Sequence, residues 1–236
     1  AGNKGNGEGT AGNIEHPNDH TAPSEPTITF VEDTNPKDGK LNKAENSSDS
    51  DNANTTAKIS IPTDAVVGDV IKYTVNGGAE ESHTITNADK TAGHVEIKVP
   101  VTDGQTSSVT AKIVDQAGNA SKEVSGSIDV DTTAPKVEVE TVTPVDTNNP
   151  ADGNPEKGIV KGHSDEPNAP VVVTDKDGKT IGTGTTDDKG NFEITTDPIK
   201  PGDKVNVEVT DKAGNKGNGE GTAGDTTYVD TTAPKV

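Results

Sequence analysis

The sequence has no cysteine, no methionine and no tryptophan among its 236 residues. Without cysteine there is no disulfide staple, no thiolate zinc site and no cysteine nucleophile. Aromatic residues are almost as scarce: Phe30, Tyr73, Phe192 and Tyr228 are the whole set, too few to build a stacking surface for sugars or bases. No apolar run approaches the ~20 residues of a membrane-spanning helix. No signal peptide is visible, which says nothing about export. Basic residues are outnumbered, 21 against 40 acidic ones, for a formal net charge of −19. Such a chain repels nucleic acid and anionic membranes and attracts cations.

Hydrophobic residues make up only 26% of the chain, a content that resembles a disordered segment when net charge is high. The pattern of those residues argues for a fold. Val205-Asn-Val207-Glu-Val209, Val95-Glu-Ile97-Lys-Val99 and Val137-Glu-Val139 alternate with period two. Their apolar members are β-branched, as in strands with one wet face. No sustained helical period is present.

Repetition organises the rest. DTTAPKV stands at 131–137 and again at 230–236 in the form DTTAPKV, with a looser copy at 19–23, and AGNKGNGEGTAG occupies both 1–12 and 213–224. Taken as punctuation, these phrases give a first unit over 21–131 and a second over 132–230. Residues 1–20 read as the mobile tail of a preceding repeat, and 231–236 as the start of the next. Strands are expected at 27–32, 55–61, 70–75, 82–86, 94–101, 108–114 and 123–130 in the first unit. In the second they are expected at 136–142, 158–163, 170–174, 179–186, 191–196, 204–210 and 225–229. Turn signals such as Asn76-Gly77-Gly78 and Pro201-Gly202-Asp203 separate them. Seven short strands per hundred residues predict an all-β protein of two tandem immunoglobulin-like β-sandwich domains in an elongated arrangement.

Asp-x-Ala-Gly-Asn (115–119 and 211–215), followed by Asp-Thr-Thr-Ala-Pro, resembles the tandem Ig-like repeats of giant biofilm-associated, type-I-secreted bacterial surface adhesins. The segment 173–194 also fits that repeat, and is similar to prealbumin-like stalk repeats of Gram-positive surface proteins. The resemblance covers both units. It implies an extracellular, cell-surface location, a role in cell adhesion and biofilm formation, and stiffening by Ca²⁺.

Sandwich topology places the acidic residues. The B–C and F–G loops lie at the pole where the chain enters. In the second unit that pole gathers Asp165 and Glu166, Asp211 and Asn215, with Asp129 and Asp131 arriving on the linker. Oxygen ligands from several short segments suit Ca²⁺, which takes six to eight; the alternative is that they are solvated turn residues. Asp19 and Asp115 are the matching positions of the first unit, and Asp230 begins the next junction. A second metal candidate is Asp33 to Glu45, where Asp38-Gly39-x-Leu41-x-x-x-Glu45 reproduces the last half of an EF-hand loop. Its first half is out of register, so Asp33 and Asn35 can serve only with one extra residue in the loop. The turn Asp146 to Gly153 lacks the downstream hydrophobe and glutamate.

The five histidines stand in no zinc spacing, and no hydrolase, P-loop or dinucleotide fingerprint appears. Gly5-Asn-Gly7-Glu-Gly9 reads as a flexible glycine linker. The expected function is therefore not enzymatic: an extender or stalk repeat of an adhesin, stiffened by calcium at its domain junctions. Its partners are neighbouring repeats of the same chain, with no nucleic acid and no membrane insertion, and the distal host or surface ligand is bound elsewhere. A ligand-binding Ig-like module for a glycan or host protein, and an accessory β-domain of a secreted hydrolase, are the alternatives.

Overall fold

The computed structural model describes residues 19–34, 37–148 and 151–230. The expected tail, up to residue 18, its glycine linker, Asn35 and the closing 231–236 lie outside the described residues. The chain divides into two compact units. One comprises Ala1–Glu32 with Asp51–Asp129, the other Asp33–Ser50 with Val130–Val236. The segment 33–50 is thus counted with the second unit, although its flanking sequence belongs to the first.

In the first unit, β1 (Ile28–Phe30) begins the fold. The excursion 33–50 carries β2 (Lys40–Leu41) and α1 (Lys43–Asn46). Then follow β3 (Asn54–Ser60), β4 (Val70–Val75), β5 (Glu81–Thr84), α2 (Asn87–Ala92), β6 (His94–Pro100), β7 (Thr106–Val114) and β8 (Val124–Val130). Antiparallel pairing orders one sheet β1-β3-β6 and the other β8-β7-β4-β5. The second unit repeats this plan. It uses β9 (Val137–Asp146), β10 (Lys157–Ser164), β11 (Pro170–Asp175), β12 (Thr180–Thr185), β13 (Asn191–Thr196), β14 (Lys204–Thr210), β15 (Lys216–Thr222) and β16 (Thr227–Tyr228). Its sheets are ordered β13-β10-β9-β16 and β12-β11-β14-β15. Strands A, B and E on one face, and G, F, C and C′ on the other, make each unit an immunoglobulin-like sandwich.

Alternation explains how so few apolar residues suffice. In β6, β13 and β14 every second side chain is buried. Val205, Val207 and Val209 are essentially inaccessible while Lys204 and Asn206 face out. Each core holds one phenylalanine, Phe30 or Phe192, within a shell of valine and isoleucine.

Two features depart from the sequence reading. The last strand of the second unit is not 225–229. The glycine-rich Lys216–Thr222 fills that place, paired along its length to β14, and Thr227–Tyr228 makes only a short parallel pairing with β9. Two short helices also occur. The longer, α2, is set by a capping box between Thr86 and Asp89 and ends on Gly93. Bonds from Thr86 and then from His83 hold the Asp89 carboxyl down to about 2. From α2, Lys90 places its ammonium on the carbonyls of Pro62, Thr63 and Ala65, which orders the B–C loop of the first unit.

Candidate metal sites

The repeated Asp-x-Ala-Gly-Asn is the F–G loop of each sandwich, closed on itself. In the second unit Asp211 is buried. Its Oδ1 accepts from the amides of Ala213 and Asn215, both at 2.8 Å, and its Oδ2 from Asn215 Nδ2 at 2.9 Å. Gly214 turns the chain with φ +93°, a conformation that glycine adopts without strain. Asn215 then faces outward from its own loop. Its Nδ2 donates to the main-chain carbonyl of Asp131 at 2.8 Å, and its Oδ1 accepts from the amide of Lys43 at 2.8 Å. The first unit repeats the device. Asp115 accepts from the amide and Nδ2 of Asn119, and Asn119 Nδ2 donates to the carbonyl of Asp19 at 3.0 Å. The motif is therefore a latch that grips the chain where it enters the sandwich.

A second grip follows in the linker. Asp165 Oδ1, on the B–C loop, accepts from the amide of Lys136 at 2.7 Å. This brings Asp131, Asp165, Glu166 and Asp211 to one pole of the second unit. The consequence is visible on Glu166, which is half-buried. Burial pushes its carboxyl up, and the negative charges of Asp211, Asp131 and Asp165 add to the effect, with Lys212 opposing it. The pole is an anionic field that Lys212 offsets only in part. Asp129 is engaged otherwise: it accepts from Thr106 Oγ1 at 2.6 Å across the β7–β8 ladder. Asp230 is exposed after β16, beside Tyr228. Partial burial, then the charges of Asp230 and Asp146, raise that phenol.

The A–B loops form a matched pair. Asp33 accepts from the amides of Asp38 and Gly39 at 3.0 and 3.1 Å, and Glu45 from those of Thr34 and Asn42 at 2.9 and 3.2 Å. In the second unit Asp146 accepts from Asn148, Asp152 and Gly153, while Glu156 accepts from Thr147 at 2.6 Å. Glu156, which sequence spacing did not single out, does the work of Glu45 at a different spacing, each accepting from the backbone amide of the residue after the loop's first acid. Among the described residues, Asp146, Asp152 and Glu156 are the acidic or histidine groups that bring three ligand atoms within 4.8 Å of one another. The buried carboxylates of both loops bond to backbone amides, so these loops hold their shape through their own hydrogen bonds.

Three of the histidines make local contacts. His83 bonds Asp89, His94 the Ala92 carbonyl and Glu96, and His163 Asn191.

The two-sheet topology and its latched loops define immunoglobulin-type modules. Residues 143–230 match the bacterial Ig domain family. No curated protein is detectably similar in sequence. Among solved structures, a 1.5-MDa bacterial ice-binding adhesin is 20% identical over 87% of this chain, with a TM-score of 0.41. The chain spans 65% of the length of that structure. Fibronectin(III)-like modules of CbhA from Clostridium thermocellum are 14% identical over 89% of this chain and 99% of theirs, with a TM-score of 0.49. The D00–D0 domain of intimin is 16% identical over 86% of this chain and all of its own, with a TM-score of 0.31. These likenesses concern the fold. Among the described residues, no helix is long and apolar enough to cross a membrane.

Proposed function

We propose that this chain is a pair of extender repeats from a bacterial cell-surface adhesin, and that calcium fastens the linker 131–137 to the entrance pole of the second sandwich. The role is mechanical and extracellular: the repeats carry a distal adhesive domain away from the cell and support biofilm formation. Neighbouring repeats of the same chain are the partners, and the sandwiches perform no catalysis. One observation carries the calcium reading. Glu166, half-buried, sits in the field of Asp131, Asp165 and Asp211 on the linker and loops that Asn215 and Asp165 already bind together. Hard carboxylate oxygens from the linker, B–C and F–G segments fit calcium, which tolerates irregular geometry and completes its shell with water. No three of these oxygens lie within 4.8 Å of one another, so a bound ion would draw them together. With the ion the linker is clamped; without it the carboxylates repel.

Melting in EDTA and in millimolar calcium tests the reading. Extracellular calcium modules bind with Kd of about 10⁻⁴–10⁻³ M, so the gain is about 1 kcal/mol per site, a rise of roughly 4–8 °C for a domain of this size. The pH dependence has a definite sign. A glutamate whose folded value is raised keeps its proton longer in the folded state, so its contribution is full at low pH and is lost as pH rises through the folded value. In EDTA the second unit should lose stability over that range, and calcium should abolish the loss. Identical melts with and without calcium at neutral pH would remove the metal and leave the latch as a purely hydrogen-bonded clamp.

A further inference from the structure

The two units hold their B–C loops by different chemistry. In the second, the hydroxyl of Thr186, just after β12, accepts from the amide of Ala169 at 2.8 Å and donates to the carbonyl of Glu166 at 2.7 Å. The matching residue of the first unit can be read from the ladders. The amide of Thr186 bonds the carbonyl of Ala169, and the amide of Ile85 bonds that of Asp69. Ile85 is 1% exposed and has no hydroxyl to give. Its loop, Pro62 to Gly68, needs another donor, because a carbonyl left unpaired away from water is costly.

The first unit supplies that donor from an element that the second lacks. Between β5 and β6 the chain makes α2. Between β12 and β13 it makes only a tight turn, tied by Asp187 to the amides of Lys189 and Asn191. From α2 the Lys90 ammonium stands 3.1 Å from the carbonyl oxygen of Pro62, 3.4 Å from that of Thr63 and closer still to that of the buried Ala65. Among the described residues no main-chain amide bonds any of these three. An ammonium offers three N–H donors on one compact charge, so donors and acceptors match in number. The helix is braced to keep it there. Thr86 and Asp89 cap its start, and the Gly93 carbonyl at its end accepts from the amide of Ile61, which opens the loop, at 2.9 Å.

We infer that the carbonyls of Pro62, Thr63 and Ala65 form a binding site for a primary ammonium group, and that Lys90 is its tethered occupant. This internal cation does in the first unit what the Thr186 hydroxyl does in the second. Calcium is a poor occupant, since three neutral carbonyls fall short of the six to eight oxygens it takes. The nearby carboxylates are engaged otherwise, Asp64 with Ser24 and Asp69 with the Val66 amide. The loop therefore keeps its shape in a chelator. The inference does not rest on the calcium reading of the second unit, whose response is read separately at Glu166.

The test follows amide exchange in the full chain by NMR, in EDTA. The reporters are the amides of Val66, Gly68 and Asp69, which bond Asp69 Oδ2, the Ile85 carbonyl and the Val66 carbonyl. Lys90→Met should speed their exchange about tenfold or more, with the amides of β7 unchanged as the check on folding. In Lys90→Ala, n-propylammonium should enter the vacated site and slow the same amides again. Tetramethylammonium, with the same charge and no N–H, should not. The proposal is overturned if Lys90→Met leaves the three amides as slow as in the parent, or if propylammonium restores no more protection than tetramethylammonium. Should either variant fail to fold, the parent decides: its three amides must exchange equally slowly in EDTA and in calcium. A loop protected only in calcium would make a metal its organiser and overturn the role of Lys90.

Discussion

Replacing Gly217 by alanine is expected to cost the second sandwich about 3 kcal/mol, at the upper end of what overpacking does. For a domain of this size that lowers its melt by roughly 12–24 °C. The reason lies in how β15 approaches β9. Gly217, Gly219 and Gly221 alternate along β15, opposite Val209, Val207 and Val205 of β14. A Cβ on Gly217 would run into the carbonyl oxygen of Pro135, which is backbone and cannot rotate away. On Gly219 it would lie 3.0 Å from Val137 Cγ1, and on Gly221 2.6 Å from Val142 Cγ2. The glycines are therefore the inward face of a strand, with the missing side chains letting two sheets close. Asn218, between them, faces solvent, and Asn218→Ala should change stability by less than about 0.5 kcal/mol. Thermal unfolding of the two variants side by side checks this. If Gly217→Ala melts like Asn218→Ala, the close approach is not what the glycines are for.

Asn215→Ala is expected to cost about 2–4 kcal/mol. The side chain is buried, and its removal strands the Lys43 amide, the Asp131 carbonyl and one oxygen of Asp211 at once. Each buried polar group left unpaired costs about 1–3 kcal/mol, with some recovered by water at the loop surface. Asn215→Asp separates the latch from the metal. It keeps an acceptor for Lys43 but loses both donated bonds and adds a negative charge beside Asp211. In EDTA it should melt no higher than Asn215→Ala, and in calcium it should recover more than the alanine variant does. Equal calcium responses in the two variants would disconnect Asn215 from any cation.

The fold was legible wherever burial alternates. β13 and β14 occupy the residues expected for them and β6 ends one residue short of its expected range, because in all three every second side chain is dry and its neighbours are wet. It failed at β15, where Lys-Gly-Asn-Gly-Glu-Gly-Thr has neither β-propensity nor an apolar face. Glycine there answers to the distance between two sheets, a tertiary fact invisible in local sequence. The short α2 escaped because six residues carry no helical period, although its Thr86–Asp89 box is a local signal. At the site, sequence placed Asp165, Glu166, Asp211 and Asn215 on the right loops, since loop order follows from strand order. It did not anticipate that Asn215 and Asn119 grip a carbonyl, nor that Lys90 reaches the carbonyls of Pro62, Thr63 and Ala65. Lys90 is one of 21 basic residues, and only its place on α2 distinguishes it. Glu156 was missed because its spacing from Asp146 differs from that of Glu45 from Asp33, while the bonds it makes are the same in kind.

The carboxyl carbon of Glu166, followed by NMR through a pH titration in EDTA and again in calcium, tests the central claim most directly. In EDTA its midpoint should lie above the ordinary glutamate range, pushed there by burial and by Asp211, Asp131 and Asp165. A cation held among those carboxylates reverses the balance, because a nearby positive charge favours the ionised form. Bound calcium should move the midpoint below the ordinary glutamate range. A midpoint that stays raised and unmoved in saturating calcium would contradict it.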